Sequence, residues 1–457
     1  MKNILILGAG LSSSSLIRYL LQNAEENKWH LRIVDQEKEA IEKKINGSSH
    51  AEALVFNALI SEERRPEIER ADLVISMLPA RFHVDVAEDC IDLKTNLITP
   101  SYVSPQMKEL HEKAKDAGIV IMNEIGVDPG IDHMSAMRVI DKIRGEGGEM
   151  HIFESFTGGL VAPESDDNPW NYKFTWNPRN VVLAGQGGAA QFIQEGMYKY
   201  IPYNKLFRRT EIINIEGYGL FEGYANRNSL MYRALYGLDD IPTIYRGTLR
   251  RKGFSRAWDV FVQLGATDDT YTLEGSENMS NRDFINSFLP YNENDSVELK
   301  LRHYLKIDLD DTLWDKLVWL GIFDGKKKIG LKNATPAQML QKILEEKWAL
   351  KPNDKDMIAM YHKFVYKMGD QFHEITSEMV NIGEDQTFTS MSNTVGLPLG
   401  ICVKLVLNGT IQLKGVHIPT SKEVYDPILD ELEEYGIKFN EREINPPRLY
   451  NVEESWS

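Results

Sequence analysis

Asn3-Ile4-Leu5-Ile6-Leu7-Gly8-Ala9-Gly10-Leu11-Ser12-Ser13 is the stretch that decides the fold. Asn3–Leu7 is a short apolar run, too short for a helix and closed by glycine, so it reads as a strand. Beyond the glycines, Leu16, Ile17, Leu20 and Leu21 recur at helical spacing. Strand, glycine turn and helix in that order form the frame of a dinucleotide fingerprint. The first glycine makes the tight turn, and the second lets backbone approach a pyrophosphate. The helix start then offers N–H groups and a favourable dipole. Ser13 holds the third glycine position, so the motif is degenerate. Gly8, Gly10, Leu11, Ser12 and Ser13 are therefore candidate cofactor-binding residues.

The next strand, His30–Val34, ends at Asp35. An acidic residue there hydrogen-bonds an adenosine ribose 2′-OH and repels a 2′-phosphate. That favours NAD(H), with NADP(H) possible. A plain glycine turn and strand-end aspartate would look alike singly; their position after the first two strands favours the fingerprint. Ala53–Phe56, Leu73–Met77, Asn96–Thr99 and Ile119–Met122 read as further strands, with a polar helix around 105–117. This alternation predicts an α/β fold with a doubly wound parallel sheet, a Rossmann domain over 1–125. Ile75-Ser76-Met77-Leu78-Pro79-Ala80 leaves the fourth strand at the carboxyl edge, where such sheets bind ligands, which makes Ser76 and Leu78 candidates too.

The whole chain fits an ordinary globular protein of several domains: 457 residues, 42% hydrophobic and 26% charged. The 52 Lys and Arg against 68 Asp and Glu leave a net charge of -16. An acidic surface repels phosphate backbones, so nucleic acid is not an expected partner. No apolar run approaches the roughly 18–20 residues of a membrane span. Cys90 and Cys402 are too few for a disulfide framework or a cysteine-built metal site, and no metal is expected. The start lacks the long apolar region and small-residue cleavage site of a signal peptide. The chain is read as cytoplasmic, with a small molecule as its partner.

Further along, Asn123-Glu124-Ile125-Gly126-Val127-Asp128-Pro129-Gly130-Ile131-Asp132-His133 follows the last strand of the first domain. Asp-Pro-Gly is turn chemistry, and Asp132 is expected to cap the following helix. Asp128 lies at the sheet's carboxyl edge, beside the place for a nicotinamide, so turn and chemistry both remain open for it. Residues 164–167 form an acidic loop before Tyr172-Lys173-Phe174-Thr175-Trp176. Residues 245–256 carry five basic groups and no acidic one, with Arg227 not far upstream. Guanidinium forks suit carboxylates, although charge alone equally fits a solvated face. From about 280 to 385 the pattern turns helical, and Ile401–Leu407 and Thr410–Leu413 return to strand character before a helix at Val424–Tyr435.

The ordered set GAG, ISMLPA, TPSY, NEIGVDPGIDHM, SFTGGLVAPE, NPWNYKFTW, NRNS, RGTLR and SNTVGLPLG resembles the saccharopine reductase family, the glutamate-forming saccharopine dehydrogenases. The resemblance runs from residue 1 to about 445. It implies a Rossmann domain, a mixed α/β substrate and dimerisation domain (126–279), a helical insertion (280–388) and a C-terminal return (389–457). It also implies a homodimer and the conversion of saccharopine, NAD(P)+ and water to glutamate and 2-aminoadipate semialdehyde, or the reverse. Substrate contacts would fall on Ser101, Tyr102, Asp128, Arg227, Arg246, Gly247 and Thr248. Nicotinamide-side contacts would fall on Gly126, Val127, Asp128 and Trp176. Thr157 stands where members often have Cys, and Asp35 where NADP-using members accommodate phosphate.

Saccharopine carries three carboxylates and a secondary amine, so a protein of net charge -16 needs concentrated arginine to hold it. Arg227 and Arg246 are the expected clamps, with Asp128 and Tyr102 handling the amine proton or a water. A carboxynorspermidine dehydrogenase would use the same fold on a cationic polyamine. The basic 245–256 stretch argues against it, while the acidic 164–167 loop leaves it open. Lysine ε-oxidation and a catalytically silent dinucleotide-binding regulator are the other readings.

Overall fold

The computed structural model describes residues 1–308 and 311–450. Residues 309–310 and 451–457, which fall within the expected helical insertion and C-terminal return, lie outside the described residues. The strands are β1 (Lys2–Leu7), β2 (Trp29–Asp35), β3 (Ala51–Val55), β4 (Leu73–Ser76), β5 (Asn96–Ile98), β6 (Val120–Met122), β7 (Glu149–Val161) and β8 (Ala190–Gln194). They continue as β9 (Met197–Ile201), β10 (Thr210–Ile215), β11 (Gly219–Ala225), β12 (Thr243–Arg251), β13 (Asp356–Met368), β14 (Gln371–Ile382), β15 (Gly415–His417) and β16 (Asn440–Ile444). Two compact units result. One comprises Met1–Met150, Tyr366–His373 and Met379–Glu443; the other comprises His151–Val365, Glu374–Glu378 and the segment from Ile444.

The first unit is built on a seven-stranded sheet in the order β15-β6-β5-β4-β1-β2-β3. Its paired strands all run parallel. Ile4 to Leu7 are fully buried, as the near-continuous apolar runs of a sheet covered on both faces require. The order reverses between β1 and β4. That reversal opens a crevice outside the carboxyl ends of these two strands, where the Gly8 and Ser76 turns leave the sheet.

Helix Ser14–Gln22 carries the glycine turn, and helix Ser390–Leu407 packs on it. A side chain at Gly396 would come within 2.5 Å of the Leu16 backbone nitrogen, and one at Gly400 would strike the Tyr19 ring. The Ser15 hydroxyl donates to Asn393 Oδ1 at 2.6 Å. The SNTVGLPLG segment therefore positions the fingerprint helix. This also corrects the strand expected at Ile401–Leu407. A run apolar on all sides cannot be told from a buried strand by periodicity, and the glycine contacts decide for helix. The same helix corrects the expectation that no apolar run approaches membrane length. Its 18 residues pass by length and composition, but most of it is buried inside the protein, as a core helix is. The strand expected at Thr410–Leu413 begins later, as β15.

In the second sheet the order is β10-β11-β12-β7-β13-β14-β16, with β8 joining β12 to β9. It is mixed: β12 runs parallel to β7 and antiparallel to β11. The helical pattern expected to about 385 ends at helix Pro336–Trp348, and the long strands β13 and β14 follow. Their alternation was masked because almost every residue of β13 is buried, whichever face it occupies. The aromatics of NPWNYKFTW up to Phe174 are core: Trp170 packs edge-on to Trp348 at 5.1 Å, and Tyr172 to Trp348 at 5.0 Å. Lys173 among them is buried and paired with Asp354 (2.6 Å) and Asp167 (2.8 Å).

Candidate active site

The Gly8–Ser13 turn leaves β1 with Gly8 at φ +102°, a backbone state that favours glycine. A side chain there would also press on Met77 of the neighbouring β4 turn, whose oxygen lies 3.3 Å from the added carbon. Gly10 is different. A Cβ on it meets nothing within 4 Å, so the space over its backbone is open. Ser13 is buried, and its hydroxyl donates back to the Gly10 carbonyl at 2.8 Å, while Leu11 is exposed. Bare backbone beside open space at a helix start fits a pyrophosphate, so the residues present suit a dinucleotide.

Asp35 ends β2 beside this turn. Its carboxylate accepts from the Ala9 N–H at 2.7 Å and the Gln36 N–H at 2.8 Å. Sequence reasoning missed Lys44, from helix Lys38–Ile45, whose ammonium donates to the carbonyls of Ala9 and Gly10 and to the Ser13 hydroxyl. Burial holds its pKa down at about 8, against the opposing pull of Asp35. Only a long side chain at the right helical position marked it in the sequence.

On the carboxyl edge of β4 and β5, Ser76 and Ser101 are brought together by another residue the sequence did not single out. His83 opens helix His83–Asp92 and is almost wholly buried. Its Nδ1 lies 2.9 Å from Ser76 Oγ and its Nε2 2.7 Å from Ser101 Oγ. Thr99 Oγ1 stands 3.1 Å from the same Nε2. Burial pushes the imidazole's pKa down to about 4, so the ring is neutral near pH 7. Leu78 is half-buried on the turn between them.

The 124–133 loop brings Asp128 to Tyr102, whose hydroxyl donates to Asp128 Oδ1 at 2.9 Å. Tyr102 is about half exposed and Asp128 partly so, which leaves both reachable. The loop is rigid. Gly130 at φ +148° lies so close to Gly126 that any side chain would collide with that backbone. Glu124 sits at φ +61°, a left-handed state costing a non-glycine residue about 1–2 kcal/mol. Its buried carboxylate accepts the Val103 N–H at 2.8 Å and meets His133 Nε2 at 2.7 Å. Glu124 thereby ties the Ser101–Tyr102 segment to the Asp128 loop. Asp132 departs from its expected role: it lies inside helix Ile131–Gly145 and accepts from Gly130, the capping residue itself, at 2.6 Å. Gly126 and Val127 are buried in the loop.

In the second unit, β12 places Arg246 and Thr248 on one face and Gly247 on the other. The missing side chain of Gly247 makes room for the Phe156 ring, and an added carbon would also lie 2.7 Å from the Tyr224 carbonyl. Arg246 is 4% exposed, its guanidinium 3.9 Å from the centroid of the Tyr232 ring. Arg250, also buried, is boxed by Tyr172 and Phe254. The basic stretch is thus not a solvated face over these arginines, because alternation along a central strand turns them inward. Arg227 is exposed at φ +38°, in the loop where the Asn226 N–H donates to the Arg246 carbonyl at 2.9 Å. Trp176 is 37% exposed, just past the aromatic core.

Known proteins resemble the chain over most of its length. The saccharopine dehydrogenase NADP binding domain matches residues 4–122, and the saccharopine dehydrogenase C-terminal domain matches 126–437. A saccharopine dehydrogenase [NADP(+), L-glutamate-forming] of Pyricularia oryzae is 32% identical over 96% of this chain and 99% of its own. The mitochondrial alpha-aminoadipic semialdehyde synthase of Rattus norvegicus is 34% identical over 96% of this chain, which spans 47% of that longer protein. The apo saccharopine dehydrogenase (L-Glu forming) of Saccharomyces cerevisiae superimposes with a TM-score of 0.88 at 31% identity, covering 97% of this chain and 100% of that one. A glycine turn fit for a dinucleotide, a sheet that reverses at that turn and full-length likeness make this chain a nicotinamide-dependent oxidoreductase belonging to the saccharopine dehydrogenase family.

Proposed function

We propose that the protein interconverts saccharopine, NAD(P)+ and water with glutamate, 2-aminoadipate semialdehyde, NAD(P)H and a proton, in lysine metabolism. The observation that carries this is the end-to-end likeness to the L-glutamate-forming enzyme of Pyricularia oryzae. Gly8, Gly10, Leu11, Ser12, Ser13, Asp35, Ser76, Leu78, Gly126, Val127 and Trp176 hold the dinucleotide, which when bound supplies the hydride acceptor for the carbon bearing the secondary amine. Arg227, Arg246, Thr248 and the Gly247 backbone hold the substrate's carboxylates, with Ser101 adding a hydroxyl. Such positioning supplies several kcal/mol of barrier reduction. Asp128 takes the amine proton and then orients water on the substrate's C=N carbon, and Tyr102, bonded to Asp128, shares that proton.

NAD(H) is the favoured coenzyme in this reading, because the Asp35 carboxylate repels a 2′-phosphate. One observation favours NADP(H) instead: the Lys44 ammonium lies beside Asp35 and offsets its charge. A homodimer, and the cytoplasm as the compartment, complete the proposal; both cysteines are free and buried, as a reducing compartment allows. The test is turnover of saccharopine against carboxynorspermidine, with glutamate measured as product. Glutamate formed from saccharopine alone supports the reading; turnover of carboxynorspermidine alone overturns it.

A further inference from the structure

We infer that His83 is a positioning residue that sets the hydroxyls of Ser76 and Ser101 in opposite senses and thereby decides whether the Ser101 hydroxyl can donate to the substrate. The inference rests on the substrate role proposed above for Ser101; Ser76 is wholly buried and serves as the ring's other partner. Each ring nitrogen faces one of them, at 2.9 Å for Ser76 and 2.7 Å for Ser101. A neutral imidazole has one N–H and one lone pair, so it must donate to one hydroxyl and accept from the other. Burial at 3% exposure keeps water from supplying a substitute partner.

Two arrangements follow. With the proton on Nδ1, Ser76 accepts from the ring and keeps its own O–H, while Ser101 donates to Nε2 and turns only oxygen lone pairs towards a ligand. With the proton on Nε2, Ser101 accepts from the ring and its own O–H is released to donate, while Ser76 donates to Nδ1. A substrate carboxylate needs a donor, so it selects the second arrangement. That choice orients Ser76 at the same moment. Thr99 Oγ1, 3.1 Å from Nε2 and accepting the Ser101 N–H at 3.4 Å, closes the ring's other approach on that side. No net charge moves; one tautomer is chosen. His83 acts through the serines and touches neither ligand in this account.

The test combines variants with a measurement on the intact protein. His83→Gln, which loses the ring that fixes an N–H and a lone pair at these two places, should raise the saccharopine KM about tenfold with a smaller change in kcat. Adding Ser101→Ala to it should then cost no further loss, since the hydroxyl is already misdirected. Losses that multiply, or a His83→Gln enzyme within about twofold of wild type, overturn the inference. Nitrogen-15 NMR of the histidines in the wild-type enzyme needs no variant to fold. It should show His83 with its proton on Nε2 when saccharopine is bound; a proton on Nδ1 in that complex overturns the proposal. Wild-type turnover of saccharopine, measured first, separates a failure of the function itself from a failure of this device.

Discussion

Two glycine-bearing loops of the first unit look alike in sequence and serve opposite ends. At the 8–13 turn, an added carbon on Gly10 meets nothing. At the 124–133 loop, an added carbon on Gly130 meets the backbone of Gly126. The first glycine keeps a space open for something that comes and goes. The second lets the chain close on itself, with a buried Glu124–His133 contact at 2.7 Å as its pin. A glycine motif therefore signals a ligand only where the missing side chain leaves room outside the protein's own packing.

Substitutions can break or sharpen that contrast. Gly130→Ala should have the largest effect, a destabilisation of about 4 kcal/mol or more in denaturant unfolding, because backbone cannot yield as a side chain would. Asp128→Asn should lower kcat about 100-fold or more while leaving the unfolding midpoint near wild type, which would separate the loop's chemistry from its scaffold. Glu124→Gln should cost about 2 kcal/mol of stability, the worth of charge-assisted bonds to Val103 and His133. Gly10→Ala should leave stability within about 0.5 kcal/mol and raise the coenzyme KM, the mirror image of Gly130→Ala. If both glycine variants lose stability alike, the contrast fails.

A pH profile adds a further check. The folded His83 has a pKa of about 4 against an ordinary 6.5, so the unfolded chain binds the extra proton between these values. Its contribution to stability is fully present above pH 6.5 and is lost as pH falls towards 4, on the order of 3 kcal/mol in all. His83→Gln should flatten that part of the curve; an unchanged slope would show that other groups produce it.

The parallel sheet was legible because its evidence is local: short apolar runs, turn residues at their ends and a helix period after each. The pairings that complete the site were not. Lys44, His83 and Glu124 each make a contact that spans from 18 to 35 residues, and nothing in spacing alone joins His83 to Ser101 or Lys44 to Ala9. The basic stretch was visible as charge, but whether its arginines face water or core depends on which neighbours flank β12. Helix Ser390–Leu407 misled for a related reason. Its apolar surface is covered all round, so the periodicity that distinguishes helix from strand disappears.

The account's central claim is that a buried arginine grips a carboxylate of the substrate while the coenzyme is held elsewhere. Replacing Arg246 with Met keeps the length and apolar packing of the side chain over Tyr232 and removes the fork. Kinetics with saccharopine and fluorescence titration with NADH, on wild type and variant together, measure the two ligands separately. The saccharopine KM should rise about 100-fold while the NADH Kd stays within about twofold. An unchanged saccharopine KM in a folded variant, or equal loss of both ligands, would contradict the claim.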